Sequence, residues 1–345
     1  MTLVFEATTD RDLADVAAFL ISGFNSPPDA VFARPEVLHW KYFQPGPEWE
    51  SSRSYVLRQE NKIKAHCGVW PMNLNFGGEK IGCICFLDWL SEKDLPGAGV
   101  MLKKKLMRLT DTSVVVGGSA DTRAVVPLIG FQHVGEVTTF ARVVRPWRQF
   151  RTRPREAIGK GAARLLRNAA WSRTAATSVD GQWSIKRVKT FDELPEKINE
   201  GNYPAPLRDA KYLNYWLDTP AVEMAGFLIH FQNEYHGYFL LSKVGGQARI
   251  ADIRLLSNSV ADWAAAYRLA AATAAEDPKI CETVTIASTP LAREALVGSG
   301  FRDRGSVPLF LADRKKRLEA APPIFLSMID GDGAYLYDPS YPYVT

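Results

Sequence analysis

The sequence has few of the residues that hold metals or cross-link chains. Four cysteines and five histidines are scattered over 345 residues with no CxxC pair, so neither a zinc site nor a disulfide framework is expected. Cys83 and Cys85 stand two apart in an apolar stretch; on a strand they share one face and cannot readily bond to each other. Long apolar runs are lacking too. The Ala-rich stretch from Trp263 to Ala275 is too short to cross a bilayer and contains Arg268. The opening, MTLVFEATTDRDL, carries acids where a secretion signal needs a basic and then an apolar run. With a formal charge of only +4, the chain reads as a protein of the reducing cytoplasm that holds no metal. What is plentiful is aromatic: nine Trp, twelve Tyr and seventeen Phe. That is enough to build a core in each of two domains and to exclude disorder over the whole chain.

The two halves echo one another at a spacing of about 170 residues. VLHWKYFQP and then YVLRQENKIKAHCGV in the first half answer YLNYWLDTP and then FLIHFQNEYHGYFLL in the second. Each of the longer segments is an apolar run, a polar turn and a second run, which is a strand-turn-strand signal. A Gly-Gly turn follows in both, Gly77-Gly78 and Gly245-Gly246, then a helical stretch, then VVVGGS or VTIAST. Both halves close with a helix ending in Gly-Phe, at Gly130-Phe131 and Gly300-Phe301, and a last strand. Five features in one order point to duplication, and the alternation of strand and helix points to an α/β mixed sheet in each copy.

The stretch GCICFLDWLSEKDLPGAGVMLKKKLM carries the most chemistry. Cys83 to Leu90 reads as a buried strand interrupted by one acid, Asp88. Val100 to Met107 reads as a helix with Leu102, Leu106 and Leu109 at helical spacing and lysines on the other side. Between them, Leu95-Pro96-Gly97-Ala98-Gly99 can form a tight loop. Without side chains at Gly97 and Gly99, backbone N–H groups can face an anion, and the helix starting there adds the positive end of its dipole. A lone GxG also serves a plain turn, and that reading stands beside the pyrophosphate cradle.

The stretch resembles the acyl-CoA loop of GNAT acyltransferases, whose pattern is Gln or Arg, two residues, Gly, one residue, then Gly or Ala. The match falls on Asp94, Gly97 and Gly99, with an acid at the first position. VVVGGSADTRAVVPLIGF resembles the next strand and helix of that family. The likeness covers most of residues 1–145 and, more faintly, 183–315. It implies two tandem GNAT-like domains: 1–145 with the acyl-CoA loop, a basic linker over 146–182, and a degenerate copy over 183–345 with a C-terminal tail. It further implies acetyl-CoA or another acyl-CoA as co-substrate, held by Leu87, Trp89, Leu90, Leu95, Pro96, Gly97, Ala98, Gly99 and Val100, with Ser119 near the far end of the acyl-pantetheine arm. The acceptor would be a small amine, such as an amino sugar or an amino acid derivative. The second copy reads ADIRLLSNSVADWAAAYRLA, with no glycine between strand and helix, so no cradle is expected there; mycothiol synthases are a tandem family of similar shape.

Acyl transfer to an amine needs a base for the ammonium proton and a donor to the thioester oxygen. Where the family often places a glutamate base this chain has Cys83, and where it often places an acid tyrosine this chain has Val126, with Leu296 in the second copy. The nearest substitute is Asp88, whose pKa would be raised if it were desolvated; the same acid could instead brace the loop. His66 and Cys83 are the other catalytic candidates, Cys83 only with a base beside it. The oxyanion donor is expected among backbone N–H groups near Leu90. Arg34, Trp40 and Tyr42 fall where this fold floors the acceptor cleft, although such aromatics more often serve a core.

Between the copies, RVVRPWRQFRTRPREAIGKGAARLLRNAAWSRTAATS sets many arginines against the single Glu156. Ile158, Ala162, Leu165, Leu166 and Ala169 fall on one helical face, which reads as a solvated connecting helix docked on the domains. Contact with anionic lipid or RNA is the other reading. The tail, IFLSMIDGDGAYLYDPSYPY, reads as a strand, a turn and an aromatic end that covers a sheet edge or lines the cleft. Two further functions fit the sequence: a Fem-type transferase using aminoacyl-tRNA, and a CoA-sensing or protein-binding module without catalysis.

Overall fold

The computed structural model describes residues 2–46, 49–153, 158–174 and 180–345. The first half runs β1 (Val4–Ala7), α1 (Leu13–Gly23), α2 (Pro35–Tyr42), β2 (Ser54–Gln59), β3 (Lys62–Phe76), β4 (Glu79–Ser91), α3 (Ala98–Leu106), β5 (Thr112–Val116), α4 (Ala120–Val125) and β6 (Gln132–Val143). Two helices follow, α5 (Pro146–Thr152) and α6 (Ile158–Thr174). The second half runs β7 (Trp183–Val188), β8 (Ala205–Pro206), α7 (Ala210–Leu217), β9 (Glu223–Phe231), β10 (Glu234–Val244), β11 (Gln247–Leu255), α8 (Val260–Glu276), β12 (Glu282–Ala287), α9 (Pro290–Gly298) and β13 (Arg302–Asp313). Among the described residues, no helix is long and apolar enough to cross a membrane.

Local chemistry explains the repeated parts. The β2–β3 turn puts Glu60 and Asn61 at φ 50° and 62°, and the β9–β10 turn puts Gln232 and Asn233 at 52° and 68°. Two successive positive φ values make a turn whose twist matches the strands it joins. Gly130 at φ 101° and Gly300 at 84° end the helical segments before β6 and β13, as the Gly-Phe pairs predict.

All the strands form one mixed sheet in the order β1-β2-β3-β4-β5-β13-β6-β12-β11-β10-β9-β7, with β8 beside β3. The halves exchange their last strands. β13 lies against β5 of the first half, with Leu309 opposite Val116, while β6 lies against β12 of the second, with Val143 opposite Glu282. On one face the rings of Trp40 and Trp70 meet Trp216 at 5.0 and 5.2 Å between centroids, so α2 and α7 share one core.

Two expectations change. The tail forms no strand among the described residues: its regular part is a 3-10 turn, Met328–Asp330, inside a buried irregular segment. The expected inner face of α6 is also displaced. The helix docks instead through Gly161, Asn168 and Trp171, where Asn168 donates to Gln149 (2.8 Å) and Trp171 donates to the Gly300 carbonyl (3.1 Å). Leu166 is left 73% exposed, because a hydrogen-bonded Asn and one Trp fix the rotation more firmly than scattered alanines. Arg155 and Glu156, and the side chains of Ile158 and Arg173, lie outside the described part.

Candidate active site

β4 and β5 run parallel for only three pairs, from Cys83 opposite Thr112 to Cys85 opposite Val114. Beyond them the strands part. Gly117 and Gly118, at φ 66° and 91°, turn the chain from β5 toward α4. β4 meanwhile carries a bulge: His66 faces Leu90 and Gly68 faces Leu87, so Asp88 and Trp89 together oppose Cys67. A bulge takes an extra residue out of the ladder and leaves its backbone groups free for other partners. The gap opens into a cavity of about 730 Å³ that reaches both faces of the sheet.

On the α3 face the walls include Phe86, Trp89, Lys103, Val115 and Ser119. Gly97 sits at φ 87° as the residue before α3, so the first N–H groups of the helix are left without helical partners. Gly99 cannot be larger without displacement: a Cβ there would lie 3.0 Å from Trp89 Nε1 and 3.1 Å from Ser91 Oγ. The Trp89 indole donates to the Gly99 carbonyl at 2.9 Å and so ties the loop to the bulge. Asp94, the acid at the first position of the loop pattern, lies 3.5 Å from Lys64. Ser119 caps α4, accepting from the Thr122 N–H at 3.2 Å.

Lys103 departs from the expectation that the lysines of α3 face outward. It is fully buried, its Nζ has no hydrogen-bond partner, and it stands 3.8 Å from the Trp89 ring and 4.6 Å from Phe86. Burial pulls its pKa down to about 8. Aromatic faces give such a cation partial compensation, and it remains available to an anion or a carbonyl oxygen entering the cavity.

The three catalytic candidates are placed differently from their expected roles. Asp88 does border the cavity, but its carboxylate is bonded to both Lys41 and Tyr42. Burial alone would raise its pKa; Lys41 overcomes that and holds it below the ordinary value, so a raised pKa is not realised. Its backbone lies at φ 48° within the bulge. Asp252 occupies the same place in the second copy, five residues beyond the first β11–β12 pair, and is bonded to Arg208 and Tyr238 at 2.8 Å each. Both acids act as internal braces. His66 is buried between Ser54 Oγ and the Asp88 carbonyl, both at 3.0 Å, and burial lowers its pKa to about 4. Cys83 lies in the core, where burial pushes its thiol well up. Neither lines the cavity.

On the opposite face the walls come from Phe24, Phe32, Val137 and the tail, Leu326 to Gly333. Asp330 is held by Arg208 at 2.6 Å and by Ser327. Asp332, two residues on, has no side-chain hydrogen-bond partner among the described residues. Burial raises its pKa to about 6, against the pull of Lys41 and with help from Asp88. It is half-buried, because its carboxyl faces the cavity and not the packed core. Sequence reasoning missed Asp332, Lys103, Phe24 and Phe32. The visible signal was an acid flanked by glycines in an apolar tail, and one lysine of a run falling next to Leu102. Of the expected acceptor residues, Arg34 is exposed, Trp40 is packed among Trp70, Tyr215 and Trp216, and Tyr42 is bonded to Asp88; none lines the cavity. Among the described residues no group of three His, Cys, Asp or Glu is placed to hold a metal ion.

No protein-family model and no curated protein matches the sequence. Solved structures do match. A protein of Enterococcus faecalis described as a probable N-acyltransferase superposes with a TM-score of 0.57 at 13% identity, over 92% of this chain and 75% of its own. Yeast N-myristoyltransferase with bound myristoyl-CoA gives 0.58 at 11%, over 90% and 80%. A GCN5-related N-acetyltransferase from Anabaena variabilis gives 0.53 at 14%, over 90% and 72%. The fold is that of tandem GNAT acyltransferases. In this fold β4, α3 and β5 of the first half have β11, α8 and β12 as their counterparts in the second. There, α8 begins at a Ser259 cap, and Trp263, Tyr267 and Phe325 pack together beside it.

Proposed function

We propose that the chain transfers an acyl group from acyl-CoA to a primary amine, with the donor between β4 and β5 on the α3 face and the amine under the tail. The observation that carries this reading is the charge asymmetry across the parted strands. A buried ammonium without a hydrogen-bond partner, Lys103, stands on one face, and an accessible carboxylate, Asp332, stands on the other. The phosphates make the donor an anion and the acceptor amine is a cation, so a positive group on the donor side and a negative one on the acceptor side suit the pair. The glycines of the loop let the pyrophosphate approach the helix start; Lys103 and the edge of the bulge hold the arm, and Ser119 stands near its far end.

In the reaction Asp332 takes the ammonium proton, which frees the nitrogen lone pair to attack the thioester carbon. Backbone N–H groups at the Asp88–Leu90 bulge receive the negative oxygen. The carbon–sulfur bond breaks, the proton held by Asp332 passes to the thiolate, and the freed carboxylate takes the second proton from the new amide nitrogen and releases it to solvent. A carboxyl group near pKa 6 suits both halves of that exchange. The buried Val126, at the position often taken by an acid tyrosine, offers no proton.

Calorimetry with acetyl-CoA tests the donor site. The wild type is expected to bind in the micromolar range, and Lys103→Met about tenfold more weakly, as for a hydrogen bond to a charged group. Donor affinity should also fall as pH rises through about 8 in the wild type, because the free amine loses its proton there; the variant should be flat over that range. No binding by the wild type would overturn the reading.

A further inference from the structure

The chamber under the tail is selective in what it could accept. Its mouth is aromatic: Phe24 and Phe32 stand edge to face at 5.9 Å. Behind them the walls are Val137, Leu326, Met328 and Leu336. Its charged groups are acids, and two of the three are already neutralised: Asp88 by Lys41 and Asp330 by Arg208. Asp332 alone is left to face a ligand.

The cations around the chamber are committed in turn. Lys41 is 1% exposed and paired with Asp88. Arg208 is fully buried between Asp252 and Asp330. Arg249 donates to the Gly333 carbonyl at 2.7 Å and to Gln247. Lys103 lies across the sheet, against Trp89. A carboxylate on the acceptor would therefore meet Asp332 with no cation free to offset it, in a place where like charges strongly disfavour each other. A sugar would fare little better, because its hydroxyls need polar partners. Of the hydroxyl side chains on this side, that of Ser327 is already bonded to Arg208 and Asp330, and Thr139 alone cannot match the several hydroxyls of a sugar.

We infer that the acceptor is a hydrophobic monoamine: a primary ammonium on an alkyl or aryl body, with neither a carboxylate nor a set of hydroxyls. The ammonium pairs with Asp332, and the body lies between Phe24, Phe32 and Met328. This rests on the acyl-transfer reading and replaces its amino sugar or amino acid acceptor with one class.

Three ligands of one skeleton test it: 2-phenylethylamine, phenylalanine and 2-phenylethanol, titrated calorimetrically into the full chain with and without CoA. The amine is expected to bind at least about tenfold more tightly than either analogue, the cost of leaving a buried charge unpaired or opposed. Asp332→Asn should erase the preference of amine over alcohol, and Phe32→Ala should weaken all three alike. Phenylalanine binding as well as the amine, or no saturable amine binding, would overturn the assignment. Acetyl-CoA titrated into the same sample keeps the two readings apart. Donor binding without amine selectivity sinks the acceptor class alone, whereas amine selectivity without donor binding sinks acyl transfer and leaves the chamber's chemistry standing.

Discussion

A carboxylate in an apolar strand rises in pKa unless a cation is buried with it, and at Asp88 that cation is Lys41 on α2. The acid was legible in the sequence as the one charge in its strand. Its partner was not, because nothing in VLHWKYFQP marks Lys41 as turned inward, and only the packing of α2 buries it. Lys41→Met should destabilise the protein by about 3–5 kcal/mol at pH 7, since it strands a buried charge. Urea unfolding followed from pH 7 to 4 gives the sign. In the wild type Asp88 has a lowered pKa, so its stabilisation is present above the ordinary carboxylate range and is lost as pH falls through the folded value. In Lys41→Met the stranded carboxyl protonates readily, and the deficit should shrink as the pH falls. A deficit that stays constant or grows would show that the pair does not carry the effect. Asp332 was less legible still, for nothing in DGDG says which acid will be left without a partner. Asp332→Asn should lower kcat by about 10²–10⁴-fold, the usual loss of a positioned base. The wild-type rate should rise with pH through about 6 as the base loses its proton, and the variant should lack that limb. An unchanged pH profile would remove Asp332 from the reaction.

At the scale of elements, the strand, glycine loop and helix from Cys83 to Leu106 were readable because each part is decided locally. A near-continuous apolar run makes the strand, Gly97 supplies the left-handed turn, and Leu102 and Leu106 set the buried face of α3. What the helix pattern alone could not place was Lys103, one position from Leu102, which the rings of Phe86 and Trp89 draw into the core. The tail was the least readable element. It has no period, and its bonds run to residues far away in sequence, such as Ser242 donating to the Ala334 carbonyl at 2.7 Å. The loop can be tested without disturbing the rest. Gly99→Val would drive a branched side chain into Trp89 and Ser91, breaking the tie between loop and bulge. Acetyl-CoA affinity should fall more than about tenfold, although helix propensity alone predicts no loss of stability, since Val is a better helix former than Gly. Full donor affinity in this variant would mean that the loop does not shape the site.

For the whole molecule, the repeat was legible and the exchange of closing strands was not. β6 and β13 have the same local pattern, so either could close either half, and no residue spacing chooses between them. The choice is made by long-range pairing: β13 fits between β5 and β6, and β6 fits against β12. Residues 1–145 and 183–345 therefore share one sheet, and a cut between them should not yield two independent folds. Cleaving the gene after residue 177 tests this. The first fragment would expose the edge of β5 and leave β6 with neither of its neighbours, and the second would leave β13 unpaired and β12 with β11 alone. Open strand edges of that kind promote aggregation. Expressed alone, each fragment should lack a cooperative melt; expressed together they should assemble, since every strand pair is still supplied, and regain acetyl-CoA binding. The intact chain should unfold in one transition, with fluorescence and circular dichroism coincident. A sharp, reversible melt of fragment 1–177 on its own would mean that β6 can fold back onto β5, and that the exchange is a choice the second half imposes and not a condition for folding the first.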